Sequence, residues 1–362
     1  MIRLTTYFAF LFVLLVHPAF AAEEKVVSLK TKRGAEQQFI LIKPDNPIAS
    51  VILFAGGHGG LGINGTDTFE WGEENFVVRA RRDFAEKGLM VALIDAPDDK
   101  PRLNGKFRVS RKHAGDIADV AKYLKDIKDV PVWMVGFSMG TFSAVSVAIK
   151  KRQLTSGLVL ISTMTGVPDE LEALAKKFPE GVASLKLRKV RAPTLILAHE
   201  DDRCDYTPPK KNAEILKQGL SNASVVKTVF IKGGAGQRKD ECGSEGPHGF
   251  LDAEKQAVSA IASFIKTSLN AAGTNSSSGG TSSSSFKGYQ AADCAGQIAE
   301  TEKKYGASKA KYRYSEKLQS VVARLLNKAR TRLEEGKKKG CFKLVKKARG
   351  KIASRESKAG QR

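Results

Sequence analysis

Cysteine is scarce in this chain. There are four in 362 residues, at positions 204, 242, 294 and 341. They form no Cys-x-x-Cys pair and stand in no Cys/His cluster, so the spacing of a zinc site is missing. Long apolar runs are missing too: beyond the first two dozen residues no stretch is long and apolar enough to span a bilayer. No internal repeat is visible, and only five histidines are present. These absences set aside metal-stapled modules, membrane bundles and solenoids. Acidic residues are also in deficit, 38 against 60 Lys and Arg, for a net charge of +22.

The one strongly apolar segment lies at the start. Arg3 precedes TYFAFLFVLLVHPAF, and Ala19-Phe20-Ala21 fits a small-x-small cleavage site. Residues 1–22 therefore read as a signal peptide, which predicts a periplasmic or secreted protein with no transmembrane segment after its removal. In an oxidising compartment an even cysteine count points to disulfides rather than thiol chemistry.

The excess charge is uneven. From Phe286 to Arg362 there are 22 Lys and Arg against 7 Asp and Glu, a net of +15 of the total +22. Just before this region lies AAGTNSSSGGTSSSS, which has nothing apolar to bury and reads as flexible coil. The expected organisation is a body over 23–270, a Gly/Ser-rich linker over 271–285 and a basic helical module over 286–362.

In the body, apolar or alternating runs predict eight strands: KVVSLKT, QQFILIK, SVILFAG, LMVALID, VPVWMVG, GLVLIST, PTLILAH and VVKTVFI. From the third onward, amphipathic helical patterns fall between them. This alternation predicts an α/β fold, a mostly parallel sheet with helices on both faces, whose sites form at the carboxyl ends of the strands.

One such end reads Gly136-Phe137-Ser138-Met139-Gly140, directly after VPVWMV and at the start of a helix rich in small residues. A bare Gly-x-Ser-x-Gly arises by chance in many chains. Between a buried strand and a helix it places a serine hydroxyl on a tight turn, with small neighbours because backbone approaches backbone. At this point the chain resembles the α/β-hydrolase superfamily, over about residues 35–268. The resemblance implies the chain order nucleophile, acid, histidine.

On that resemblance Ser138 is the expected nucleophile. The acid should follow PTLILAH, where Glu200-Asp201-Asp202-Arg203-Cys204-Asp205 stands. Asp202 matches the family spacing best, with Asp201 and Asp205 as alternatives. The histidine should follow the last strand, and His248 in Gly-Pro-His-Gly-Phe matches, whereas His58, His113 and His199 do not. A serine hydroxyl needs a base to take its proton, and the base needs an acid to hold its tautomer. The oxyanion hole is expected from the backbone of Met139 and Gly57. The family's His-Gly at the head of the latter loop is here Ala55-Gly56. A phosphate cradle at this glycine-rich loop is disfavoured, since no Gly-Lys-Ser/Thr or Gly-x-Gly-x-x-Gly follows.

With acid and histidine placed, a Cys204–Cys242 bridge would tie their loops together, and Cys294–Cys341 would staple the tail module. The long basic loop DAPDDKPRLNGKFRVSRKH is expected to border the site with mostly solvated charges.

The expected activity is serine hydrolysis of an ester or thioester of an acyl substrate, with no cofactor or metal. The competing expectation is a binding protein that keeps the fold without activity. Peptidase and acyltransferase chemistry stay open. For the tail, an anionic cell-surface polymer or phospholipid surface fits an exported protein better than nucleic acid.

Overall fold

The computed structural model describes residues 22–168, 171–236 and 240–274, together with 298, 301–302, 305, 316–334, 341, 344–345, 347–349 and 351–352. The signal expected at 1–22 lies outside these residues except for Ala22, as does the linker from 275 onward. The chain divides into two units, Met1–Ser278 and Gly279–Arg362.

All eight predicted strands form: β1 Glu23–Lys30, β2 Glu36–Lys43, β3 Ala49–Phe54, β4 Leu89–Pro97, β5 Val132–Phe137, β6 Gly157–Ile161, β7 Thr194–His199 and β8 Val226–Ile231. They make one sheet in the order β1-β2-β4-β3-β5-β6-β7-β8. β2 is antiparallel to both β1 and β4, and every pairing from β4 to β8 is parallel. The central strands β3, β5, β6 and β7 are buried along their whole length, as a sheet covered on both faces requires.

Alternate residues of each strand serve opposite cores. Val51, Leu53, Val91, Leu93, Trp133 and Val135 pack on one side with α1 (Phe76–Arg79), α2 (Arg81–Glu86) and α8 (Glu254–Thr274). Ile52, Phe54, Met90, Ala92, Val132 and Met134 pack on the other with α4 (Arg111–Ile127), α5 (Gly140–Lys150) and α7 (Pro209–Gly219). Two small elements complete the body, α3 (Gly105–Arg108) and α6 (Glu172–Ala175).

Local chemistry sets the helix starts. Ser110 caps α4 by accepting the His113 N–H at 3.0 Å, and Asn104 caps α3 by accepting the Phe107 N–H at 2.8 Å. Pro209 supplies the first residue of α7, where its missing N–H costs nothing. The start of α5 depends on glycine: a Cβ on Gly140 would collide with the Phe54 carbonyl oxygen, and one on Gly136 would lie 2.7 Å from the Gly140 oxygen.

α8 continues through Thr274, past the expected linker start at 271, carried by the helix-forming Ala271-Ala272. α1 and α2 are two separate short helices that meet at Ala80.

In the second unit a helix spans Glu316–Glu334. Val322 and Leu326 on it are buried against Ala348 and Ile352, and Ala329 against Ile298, Cys341 and Val345. Cys341 is buried and disulfide-bonded. Cys294, its expected partner, lies outside the described residues. No helix among the described residues is long and apolar enough to cross a membrane.

Candidate active site

Ser138 follows the last residue of β5 and precedes α5. Its φ is +50°, in the left-handed region that a residue with a Cβ enters only at a cost. Its N–H donates to the Ile161 carbonyl at 2.9 Å, so the turn remains anchored to the end of β6. The side chain is half-buried. Met139 N–H makes no hydrogen bond among the described residues, as expected for the first, unsatisfied turn of a helix. The helix N-terminus thus lies against the serine, and its dipole favours negative charge there.

His248 lies in a short turn, Pro247–Gly249, ahead of α8. It is 1 % exposed, and its ring packs on Phe137 with centroids 5.2 Å apart. Its carbonyl accepts a hydrogen bond from the Ser162 hydroxyl at 2.9 Å. Ser162 stands directly after Ile161, so the backbones of Ser138 and His248 are both fastened to the end of β6.

The imidazole Nδ1 is 3.0 Å from Asp202 Oδ2. Asp202 is 5 % exposed and sits three residues past β7. Its other oxygen accepts the Cys204 N–H at 3.0 Å, and Thr207 Oγ1 donates to Oδ2 at 2.9 Å. Thr207 Oγ1 also lies 3.2 Å from Nδ1. A carboxylate can only accept, so Nδ1 carries the proton in this contact, and in the neutral ring Nε2 keeps a lone pair.

Neither alternative acid meets His248. The Asp201 side chain is 71 % exposed, and its N–H donates to His199 Nδ1. Asp205 is exposed. Among the described residues no hydrogen bond joins the Ser138 hydroxyl to His248. Catalytic hydrogen bonds often tighten only when substrate is bound.

The disulfide Cys204–Cys242 is present, with Cα atoms 4.6 Å apart. It joins the Asp202 loop to the segment leading into His248. A bridge across 38 residues stabilises by about 4 kcal/mol in the loop-entropy account.

On the other side of Ser138 runs the loop Ala55–Gly60. Gly56 faces the serine, and a Cβ there would lie 3.1 Å from Ser138 Cβ. Gly57 has a φ of +50° and packs so closely on the Trp71 indole that no side chain fits. His58 stacks on Trp71 with centroids 3.9 Å apart, and its Nδ1 accepts the Gly60 N–H at 3.2 Å. Desolvation, with Arg102 and Arg108 nearby, pushes the His58 pKa down and keeps the ring neutral. A cleft of about 610 Å³ opens beside this loop, lined among others by His58, Trp71, Glu70, Asp98 and Arg102, but not by Ser138 or His248.

Beneath the loop sits Arg108, and here one expectation fails. The basic loop before α4 was expected to carry solvated charges, yet Arg108 is 0 % exposed. Its Nη2 donates to the carbonyls of Ala55 at 3.2 Å and Gly57 at 3.1 Å, and Nη1 donates to Ser143 Oγ at 3.0 Å. Burial pushes its pKa down to about 9, which leaves it protonated at neutral pH.

Three side chains at this site escaped the sequence reading: Thr207, Ser162 and Arg108. None belongs to a spacing motif, and only Thr207, five residues past Asp202, sat close enough to a marked position to be suspected. Among the described residues no group of three or more His, Cys, Asp or Glu could hold a metal ion.

The strand order β1-β2-β4-β3-β5-β6-β7-β8, with β2 alone antiparallel and helices on both faces, is the layout of the α/β-hydrolase fold. The chain matches no protein-family model and no curated protein. Among solved structures it is similar to an esterase from Pyrococcus furiosus, at 17 % identity over 68 % of this chain and 91 % of that one, with a TM-score of 0.47. It is also similar to a dienelactone hydrolase from Anabaena variabilis, at 16 % identity over 69 % and 98 %, with a TM-score of 0.43. An α/β serine hydrolase homologue from Coxiella burnetii is similar at 18 % identity over 66 % and 95 %, with a TM-score of 0.44.

Proposed function

We propose that the protein is an exported serine hydrolase that cleaves carboxylic esters or thioesters through an acyl-serine intermediate. The observation that carries this reading is the 3.0 Å contact of His248 Nδ1 with Asp202, which leaves Nε2 as the basic nitrogen at the sheet edge where Ser138 stands.

In the proposed reaction Ser138 Oγ attacks the acyl carbon while His248 Nε2 takes the hydroxyl proton. The carbonyl π pair moves onto its oxygen, which the N–H groups of Met139 and Gly57 receive. The intermediate collapses, the C–O or C–S bond to the leaving group breaks, and that group takes the proton from His248. Water then attacks the acyl-serine by the same steps and frees the acid. Asp202 holds the imidazole tautomer and offsets the imidazolium charge, and Thr207 fixes Asp202 Oδ2 from the side. The chemistry calls for no cofactor.

Turnover of p-nitrophenyl esters and acyl thioesters of stepped chain length tests the reading. Replacing Ser138 with Ala should lower kcat on the order of 10⁶-fold with the fold unchanged. Turnover of peptides instead would move the assignment to a peptidase, and acyl transfer to an added alcohol in preference to water would move it to an acyltransferase. Folded protein that turns over none of these favours an inactive binding protein.

Export is supported by the Cys204–Cys242 bridge, a bond typical of oxidising compartments. We further propose that the basic segment 286–362 contacts an anionic surface. Arg324, Lys328 and Arg330 are exposed on its helix, although Arg330 is paired with Glu302. Binding of the full chain to anionic vesicles should fall as salt rises, and salt-insensitive binding would contradict an electrostatic contact.

A further inference from the structure

Arg108 is a cation with no counter-ion among the described residues. Its guanidinium is fully buried, makes no ion pair among the described residues, and leaves Nε without a hydrogen-bond partner. Burying an unpaired charge opposes folding, and a polar group left unsatisfied adds to that cost. As a stabiliser of the core the residue is a poor choice, and a methionine of similar volume would fill the space without a charge.

Its contacts are concentrated on one object. A single nitrogen, Nη2, donates to the carbonyls of both Ala55 and Gly57. These two carbonyls flank the Gly56–Gly57 peptide, the unit that carries the Gly57 N–H. A trans peptide is rigid and planar, so fixing the carbonyl on each side of it leaves that N–H little freedom to swing. The same loop wraps closely over the guanidinium: a Cβ on Gly59 would collide with Nη2. The third contact, Nη1 to Ser143, ties the guanidinium to α5, the helix whose N-cap is Met139. Both expected oxyanion donors therefore hang on elements that one side chain joins.

We infer that Arg108 is a positioning residue for the oxyanion hole: it clamps the Ala55–Gly57 turn to α5 so that the Gly57 and Met139 N–H groups keep a fixed separation, and it adds an unscreened positive charge behind them. The inference rests on the proposed serine-hydrolase reading. In a site shielded from water such a charge acts with little screening, and preorganised donors need no rearrangement as negative charge develops.

The test compares wild type, Arg108→Met and Arg108→Lys in the full chain. Each is assayed below its own melting transition and normalised to folded protein. The readouts are ester kcat and KM, the second-order rate of fluorophosphonate reaction at Ser138, and inhibition by an acyl trifluoromethyl ketone, which becomes an oxyanion when bound. Arg108→Met is expected to lower kcat and the fluorophosphonate rate about 10²-fold, with KM within about twofold. The trifluoromethyl ketone should weaken by a factor similar to kcat. Arg108→Lys, which keeps the charge but not the fork geometry, is expected to fall between the two.

A purely structural role would lower the melting temperature and leave these rates per folded molecule unchanged, and that result overturns the inference. If Arg108→Met does not fold, Arg108→Lys decides: wild-type rates overturn the clamp, and a selective loss in kcat supports it. A wild-type protein that fluorophosphonate does not label overturns the serine-hydrolase reading and the inference with it. Labelled wild type with an unaffected variant overturns the inference alone.

Discussion

The two sides of Ser138 are held by opposite means. On the His248 side a buried carboxylate is satisfied by three donors, an imidazole, a hydroxyl and a backbone N–H, and a neighbouring disulfide restrains its loop. On the glycine-loop side a buried guanidinium faces only neutral oxygens, two carbonyls and a hydroxyl. The first arrangement stabilises the fold as well as the site. The second leaves Nε of Arg108 without an acceptor, so its hydrogen bonds repay the desolvation of the charge less fully. Where a buried charge is fully hydrogen-bonded, geometry and stability are coupled; where it is not, they can be separated by mutation.

The largest effect that sharpens this contrast belongs to the His248 side. Asp202→Asn would keep the shape but offer an amide where the imidazole needs an acceptor, and kcat is expected to fall about 10⁴-fold. The measurement is steady-state ester hydrolysis, and the loss should exceed that of Arg108→Met by about two orders of magnitude, since a wrong tautomer disables the base while a loosened turn only misaims a donor. Equal losses would erase the distinction between the two sides.

Next comes the disulfide. The double variant Cys204→Ser, Cys242→Ser should lose about 4 kcal/mol of unfolding free energy by denaturant titration. The variant's kcat should fall too, because the Asp202 and His248 loops would be joined only through hydrogen bonds. Stability loss with kcat intact would make the bridge a staple and nothing more.

The effect that is smallest near neutral pH lies beside Arg108. His113 is fully buried between Phe54 and Phe107, with ring centroids at 6.1 and 5.6 Å, and neither ring nitrogen has a hydrogen-bond partner. Desolvation, then the charge of Arg108, pushes its pKa down to about 3. Below the ordinary histidine value of about 6.5 the unfolded chain takes up a proton that the folded chain refuses. Stability should therefore fall as pH drops from about 6.5 towards 3, by up to about 1.4 kcal/mol per pH unit from this group. His113→Phe should remove that component, so melting temperatures of wild type and variant should diverge below about pH 6. Parallel curves would mean that His113 is not held neutral.

Much of this was legible in the amino-acid order, and the part that was not has a physical reason. The eight strands showed themselves because apolar runs of strand length, bounded by turn residues, have few other uses. The direction of β2 did not, since QQFILIK pairs equally well either way and only the sheet decides. Ser138 was marked by the glycines at 136 and 140, whose roles are steric and local. Asp202 could be placed only to within three residues, because the choice among 201, 202 and 205 depends on which carboxylate the turn after β7 points inward. Thr207 and Ser162 are common residues made special by a contact with Asp202 or His248. Arg108 was the furthest from view: a lysine- and arginine-rich loop reads as solvated, and nothing along the chain announces that neutral carbonyls will surround one of its charges.

The proposed chemistry requires Ser138 to be a nucleophile in the folded protein. The most direct measurement is mass spectrometry of the full chain after exposure to a fluorophosphonate, with the adduct located by peptide mapping. The account predicts one adduct per molecule, on the peptide containing Ser138, lost in Ser138→Ala and slowed in His248→Ala. A folded wild-type protein without an adduct, or with the adduct on another residue, would contradict it.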